Sequence, residues 1–220
     1  MQGDRAGSID SFLEAASLEP GEPRHLVLAG RKELELGRRA TGEVHLNEAL
    51  AVAPGNPEAL EVLGNLYYGT YGDTPDFAAA ATMYGNWAQF DPQSTEAWFS
   101  LGNALVATHE FAGAITAYDT AISHGETSNR LRVVRAGAIM GVALAGARPL
   151  ADAIAAFEAV RNTDPPVPAV FLSLGKLYAK SGRPAEAVAA FGRFLEVAPA
   201  DHEQRSFAEG EMLRLGPATN

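Results

Sequence analysis

Apolar positions recur along this chain at helical spacing and break off at regular points. Ile9, Phe12, Leu13 and Ala16 step by three and four residues, so they share one helical face, with a turn expected before them at Gly3-Asp4 and a stop at Pro20. Closing prolines return at Pro54, Pro92, Pro165 and Pro199, and the first and last intervals are each 34 residues long. Pro92 comes four residues late, and Glu126 stands where a proline would divide the long interval.

Each interval holds two helical signatures. The first pairs an apolar residue with glycine, at Leu63-Gly64, Leu101-Gly102, Met140-Gly141 and Leu174-Gly175, followed three residues later by Tyr67, Leu105, Leu144 and Tyr178. The second sets an alanine four residues before an aromatic: Ala80 and Tyr84, Ala114 and Tyr118, Ala153 and Phe157, Ala187 and Phe191. Glycine lets two helix backbones approach, and the aromatic is expected to fill the wedge that opens farther along. Thr74-Pro75 and Gly182-Arg183-Pro184 read as helix starts.

These residues resemble the tetratricopeptide repeat family over nearly the whole chain. The resemblance implies one all-α domain over 1–220, a right-handed α-solenoid of stacked antiparallel helix pairs. Full blocks fall at 23–56, 57–94, 95–128, 134–167 and 168–201, after a half repeat at 1–22 and before a capping helix at 202–215. At least eleven helices and no sheet are expected. The fourth block follows a five-residue spacer and has Gly137 where a bulky residue is usual. In the first block, Glu33 replaces the large apolar residue and Gly42 with Leu46 replaces the alanine and aromatic. Trp87 and Phe194 stand where the pattern has a small residue.

In this family the first helices line a groove that holds peptide segments. Positions two, five, nine and twelve of each block share one face, opposite the packed residues. They read Arg24, Val27, Arg31, Leu34; Glu58, Glu61, Asn65, Tyr68; Glu96, Phe99, Asn103, Val106; Arg135, Ala138, Val142, Ala145; and Ala169, Leu172, Lys176, Ala179. The expected contact residues are Glu61, Asn65, Tyr68, Phe99, Asn103, Arg135 and Lys176. Asn65 and Asn103 recur in register, and an amide side chain both donates and accepts, which suits a peptide backbone, though each would equally bond within its own repeat. Chaperone-binding relatives grip a terminal carboxylate with a lysine at the position of Glu61, where this chain would repel it. The loop 68–77 carries Tyr68 and Tyr71 between Gly69 and Gly72 and reads as an enlarged turn whose tyrosines cover the core edge.

Composition narrows the partner. With 17 basic and 27 acidic residues the formal charge is −10, which disfavours nucleic acid and anionic lipid. The longest apolar run, 136–147, falls short of the ~20 residues a membrane helix needs. No signal-peptide pattern occurs in 1–20, and the chain has no cysteine. No cofactor motif, nucleophile elbow or metal-ligand spacing is present, and His109 and His124 read as solvent-facing turn residues.

The function expected is a non-catalytic scaffold for a protein or peptide. The alternatives are the soluble part of an envelope assembly factor, for cytochrome c maturation or secretion, and a regulatory module of a larger enzyme. Ser8, Phe12, Ala15 and Pro20 occupy the places of Ala187, Phe191, Phe194 and Pro199, so the chain opens on the second helix of a pair. That implies either a fragment of a longer protein or self-association through the half repeat.

Overall fold

The computed structural model describes residues 2–72 and 74–216, with side chains from Ile9 onward. Among them are twelve α-helices and no strand. They are α1 (Gln2–Leu18), α2 (Pro23–Glu35), α3 (Arg39–Val52), α4 (Pro57–Tyr67), α5 (Phe77–Phe90), α6 (Thr95–Ala107), α7 (Phe111–Ser123), α8 (Asn129–Leu144), α9 (Leu150–Glu158), α10 (Pro168–Lys180), α11 (Pro184–Val197) and α12 (Arg205–Leu215). The chain divides into two compact units, 1–126 and 127–220. Each is a stack of antiparallel helix pairs in which a helix packs on its neighbours in sequence. This is the all-α solenoid type of fold.

Local chemistry sets the helix starts. Proline takes the first helical position of α2, α4, α10 and α11, where a missing N–H costs nothing. Asn56, Asp76, Ser94 and Ser128 cap α4, α5, α6 and α8, each accepting from a backbone N–H three residues on. The expected start at Thr74-Pro75 moves accordingly, because Asp76 is the cap and Pro75 lies outside the helix. The expected turn at Gly3-Asp4 is helical: first-turn N–H groups have no intrahelical acceptor to lose, so these residues can open α1. The match of Ser8 to Ala187 falls on a side chain outside those described.

The crossing within the second, third and fifth pairs differs from the expected wedge. A Cβ at Gly64 would collide with the Tyr84 ring, one at Gly102 with the Tyr118 ring, and one at Gly175 would lie 2.5 Å from Phe191. The aromatic therefore sits on the glycine itself. The first pair reaches the same end without a ring, since a Cβ at Gly42 would lie 2.8 Å from the Gly30 carbonyl oxygen. Glu33 is buried in that pair and accepts from Arg38 Nη1 at 3.4 Å.

The fourth pair departs most from the pattern. Residues 129–133, expected as a spacer, form the first turn of α8 behind the Ser128 cap. Leu144, the large apolar residue of its signature, is 49% exposed. Its counterparts Tyr67 and Tyr178 reach back to the preceding second helix, donating to Glu43 and Glu158. Helix α8 opens its unit and has no preceding helix within it. At the other end, Arg205 of α12 donates to the carbonyls of Leu195 and Ala198, occupying acceptors that α11 leaves open.

Two alanine substitutions test the seating of ring on glycine. Gly102→Ala is expected to destabilise the protein by about 1–3 kcal/mol, since the new methyl displaces a ring anchored from two sides. Gly137→Ala should instead stabilise it by up to about 1 kcal/mol, because nothing lies within 4 Å of its Cβ position and α8 gains propensity. Thermal unfolding followed by circular dichroism reads both signs.

Candidate functional site

The structure distributes the expected contact residues between the two units. Glu61, Asn65 and Tyr68 lie on or at the end of α4 and Phe99 and Asn103 on α6, all within 1–126. Arg135 on α8 and Lys176 on α10 belong to 127–220. All seven side chains are half-buried or exposed. Several other members of the expected groove face are not. Val27, Leu34, Ala138 and Leu172 are buried. Three of these four occupy position five, which turns toward neighbouring helices: Val27 shares a core cluster with Ala59 and Val62 of α4. Leu34 packs where a Cβ on Gly42 would stand.

Glu61 and Phe99 hold that same position five in their own repeats. Phe99 leans on the Tyr118 ring, with centroids 6.1 Å apart, so it is a supported apolar surface rather than a free-standing side chain. Glu61 is a carboxylate where the other repeats carry an apolar residue. Burial, reinforced by the like charges of Glu96 and Glu58, raises its pKa above the ordinary carboxylate range, against the opposing pull of Arg31 and a hydrogen bond from Asn65. Arg31 is itself engaged, with its Nη2 at 2.8 Å from Glu58 Oε1.

The asparagines have partners that the sequence reading left open. Tyr84 donates its hydroxyl to Asn65 Oδ1 at 2.7 Å, and Tyr118 donates to Asn103 Oδ1 at 2.8 Å. Tyr118 is fully buried, and its hydroxyl is satisfied by that acceptor. Burial, with a smaller contribution from nearby tyrosines and glutamates, also pushes the Tyr84 hydroxyl well above its usual pKa. What Asn103 can offer a ligand is its side-chain NH2. The signal was available in the sequence: position nine is Asn where the second-helix aromatic is Tyr, and Val142 or Lys176 where it is Phe157 or Phe191.

Beside this face Tyr68 and Tyr71 cover the edge of the core. Tyr68 meets Phe77 edge-on with centroids 5.2 Å apart, Tyr71 packs on the first-unit core, and the Asp76 N–H donates to the Tyr67 carbonyl. In the second unit, Lys176 lies 4.9 Å from the Phe207 ring centroid of α12. Tyr178 is pushed up to about 12 by burial and by its bond to Glu158. His124 is half-buried with an unpartnered Nδ1, not solvent-facing as expected, because it closes α7. His109 is exposed and edge-on to Phe111. Among the described residues no group of His, Asp and Glu has a metal-holding arrangement, and no helix is long and apolar enough to cross a membrane.

The asparagine–tyrosine bond predicts a non-additive pair. Asn103→Val should cost about 1–3 kcal/mol by orphaning the Tyr118 hydroxyl. The double variant Asn103→Val/Tyr118→Phe, which copies the fourth repeat, should recover most of that loss. Denaturant unfolding of the two singles and the double checks it; an additive result would remove the bond from the account.

Comparison with known proteins agrees with the geometry. A comparison with curated proteins gave no match. Among solved structures, the chain is similar to YrrB, a TPR protein with an unusual peptide-binding site, at 18% identity and a TM-score of 0.74, covering 92% of this chain and 99% of that one. It is similar to MamA at 25% identity and a TM-score of 0.65, covering 76% and 93%. A thermophilic TPR protein of Thermus thermophilus matches at 22% identity and a TM-score of 0.54, covering 87% and 99%. The family model for the tetratricopeptide repeat matches residues 71–129 and 140–202, more than half of the sequence. The chain belongs to the tetratricopeptide repeat family.

Proposed function

We propose that this chain is a non-catalytic scaffold that takes an extended, cationic peptide segment along the first-helix face of residues 1–126. Proteins of this family are in general interaction scaffolds, and a peptide-binding site in the similar protein YrrB supports the mode. The observation that carries the reading is Glu61. A half-buried carboxylate held next to Glu58 and Glu96, at a position that is apolar in other repeats, costs stability that a ligand cation would return.

The unit around it has the matching field. Residues 1–126 hold six basic and eighteen acidic residues, against eleven and nine in 127–220. A lysine or arginine side chain meets Glu61 and Glu96, the Asn103 NH2 donates to a peptide carbonyl, and Phe99 with Tyr68 gives the apolar contact. In 127–220, Arg135 and Lys176 offer cations to an acidic part of a partner.

Fluorescence anisotropy with labelled lysine/arginine-rich, aspartate/glutamate-rich and uncharged peptides tests this. The basic peptide should bind best, with affinity falling as salt rises, and Phe99→Ala should weaken it by about 1–3 kcal/mol. The pH dependence follows from Glu61. A bound cation favours the ionised carboxylate, so binding releases a proton and weakens as pH falls through the raised Glu61 value. Glu61→Gln should flatten the profile in that window. Equal affinity for the three peptides, or a Phe99→Ala variant that binds unchanged, would remove this face as the site.

A further inference from the structure

The second helix of the fourth repeat is short: α9 has 9 residues, against 13 or 14 in α3, α5, α7 and α11. Beyond its end at Glu158, the space between α9, α10 and α11 stays open as a cavity of about 200 Å³. Its apolar walls are Phe171, Leu174 and Tyr178 of α10 and Ala189 and Ala190 of α11. Phe171, Leu174 and Tyr178 step by three and four and lie on the side of α10 opposite Ala169, Leu172 and Lys176. The cavity is thus separate from the first-helix face and lies wholly within the second unit.

Charge at the mouth is unevenly committed. Glu158 accepts from both the Tyr178 hydroxyl and Arg161, and Glu186 is held by two nitrogens of Arg183, which also lies 4.4 Å from the Tyr178 ring centroid. Both lining carboxylates are therefore satisfied by the protein. The remaining lining cation is Arg193, whose carbon Cζ is 5.8 Å from the Phe171 ring centroid. Its partner Glu196 is 65% exposed and outside the cavity, and such a pair contributes at most about 1 kcal/mol. Exchanging it for a carboxylate set against the cavity wall is inexpensive. The volume suits one aromatic or large aliphatic group, being below the range of a drug-sized ligand site.

We propose that this cavity binds an apolar carboxylate, with a ring or branched chain between Phe171, Tyr178 and Ala190 and the carboxylate on Arg193. Two sources share that chemistry, a small carboxylic acid and the terminal residue of a peptide.

The test is a ¹H–¹⁵N titration of the full chain with 3-phenylpropionate, 3-phenylpropylamine and 3-phenylpropanamide. Phenylpropionate should shift resonances clustered at 158–161, 171–178 and 186–193, with the amine and amide weaker. Arg193→Gln should raise Kd about tenfold, the loss of one charge-assisted contact. Ala189→Phe, at an exposed position on the rim, should abolish binding while leaving the helical spectrum intact. N-acetyl-Gly-Phe with a free carboxylate, compared with its C-terminal amide, separates the sources: tighter binding than phenylpropionate assigns a peptide end, weaker binding a small acid. Absence of a clustered shift at millimolar phenylpropionate, or equal binding of the amine, overturns the proposal. Neither outcome bears on the peptide face of residues 1–126, which uses other residues.

Discussion

An aromatic ring seated on a glycine holds the second, third and fifth repeats together. Tyr84 on Gly64, Tyr118 on Gly102 and Phe191 on Gly175 leave no room for even a methyl group between ring and backbone. Glycine in a helix interior costs about 1 kcal/mol of propensity, and the buried ring offsets that with far more apolar contact. Once the ring is fixed, its para position is fixed too. A tyrosine hydroxyl then arrives beside position nine of the first helix, and a residue there must answer it. Asn65 and Asn103 answer it, and each amide is thereby fixed in orientation.

That packing also explains why Glu61 differs from an ordinary surface glutamate. Position five turns toward the neighbouring helices, which is why Val27, Ala138 and Leu172 are buried there. The carboxylate inherits a half-buried seat and two acidic neighbours, and only Asn65 and Arg31 oppose the resulting penalty. Phe99 inherits the same seat with a side chain that suits it. The two residues proposed to contact a partner are thus presented by a position that is core in other repeats.

Much of the fold was legible because the repeat signal is redundant. Paired apolar–glycine and alanine–aromatic signatures, spaced by 34 residues at each end, marked the helix pairs despite weak copies such as the first. What sequence spacing hid was local. Residues 129–133 look like a linker, yet Ser128 caps them into α8. The helix wheel put Val27 and Leu34 on an open face because it treats one helix alone, whereas α2 also meets α4. The asparagine–tyrosine bond spans 19 residues in one repeat and 15 in the other, so only a comparison between repeats reveals it. The cavity beside α9 had no signature, since it comes from where a helix stops.

The position-nine pairing carries a consequence for how these repeats can diverge. Asn with Tyr and Val or Lys with Phe are both self-consistent, but the single steps between them are unequal. Losing the hydroxyl first leaves an asparagine at a half-exposed site, where water replaces the missing donor. Losing the asparagine first takes from a buried hydroxyl the acceptor it uses. A lineage moving between the two states therefore has a preferred order of mutation, tyrosine to phenylalanine before asparagine to anything else. In reverse the asparagine comes first, which makes an Asn–Phe repeat the natural intermediate in either direction.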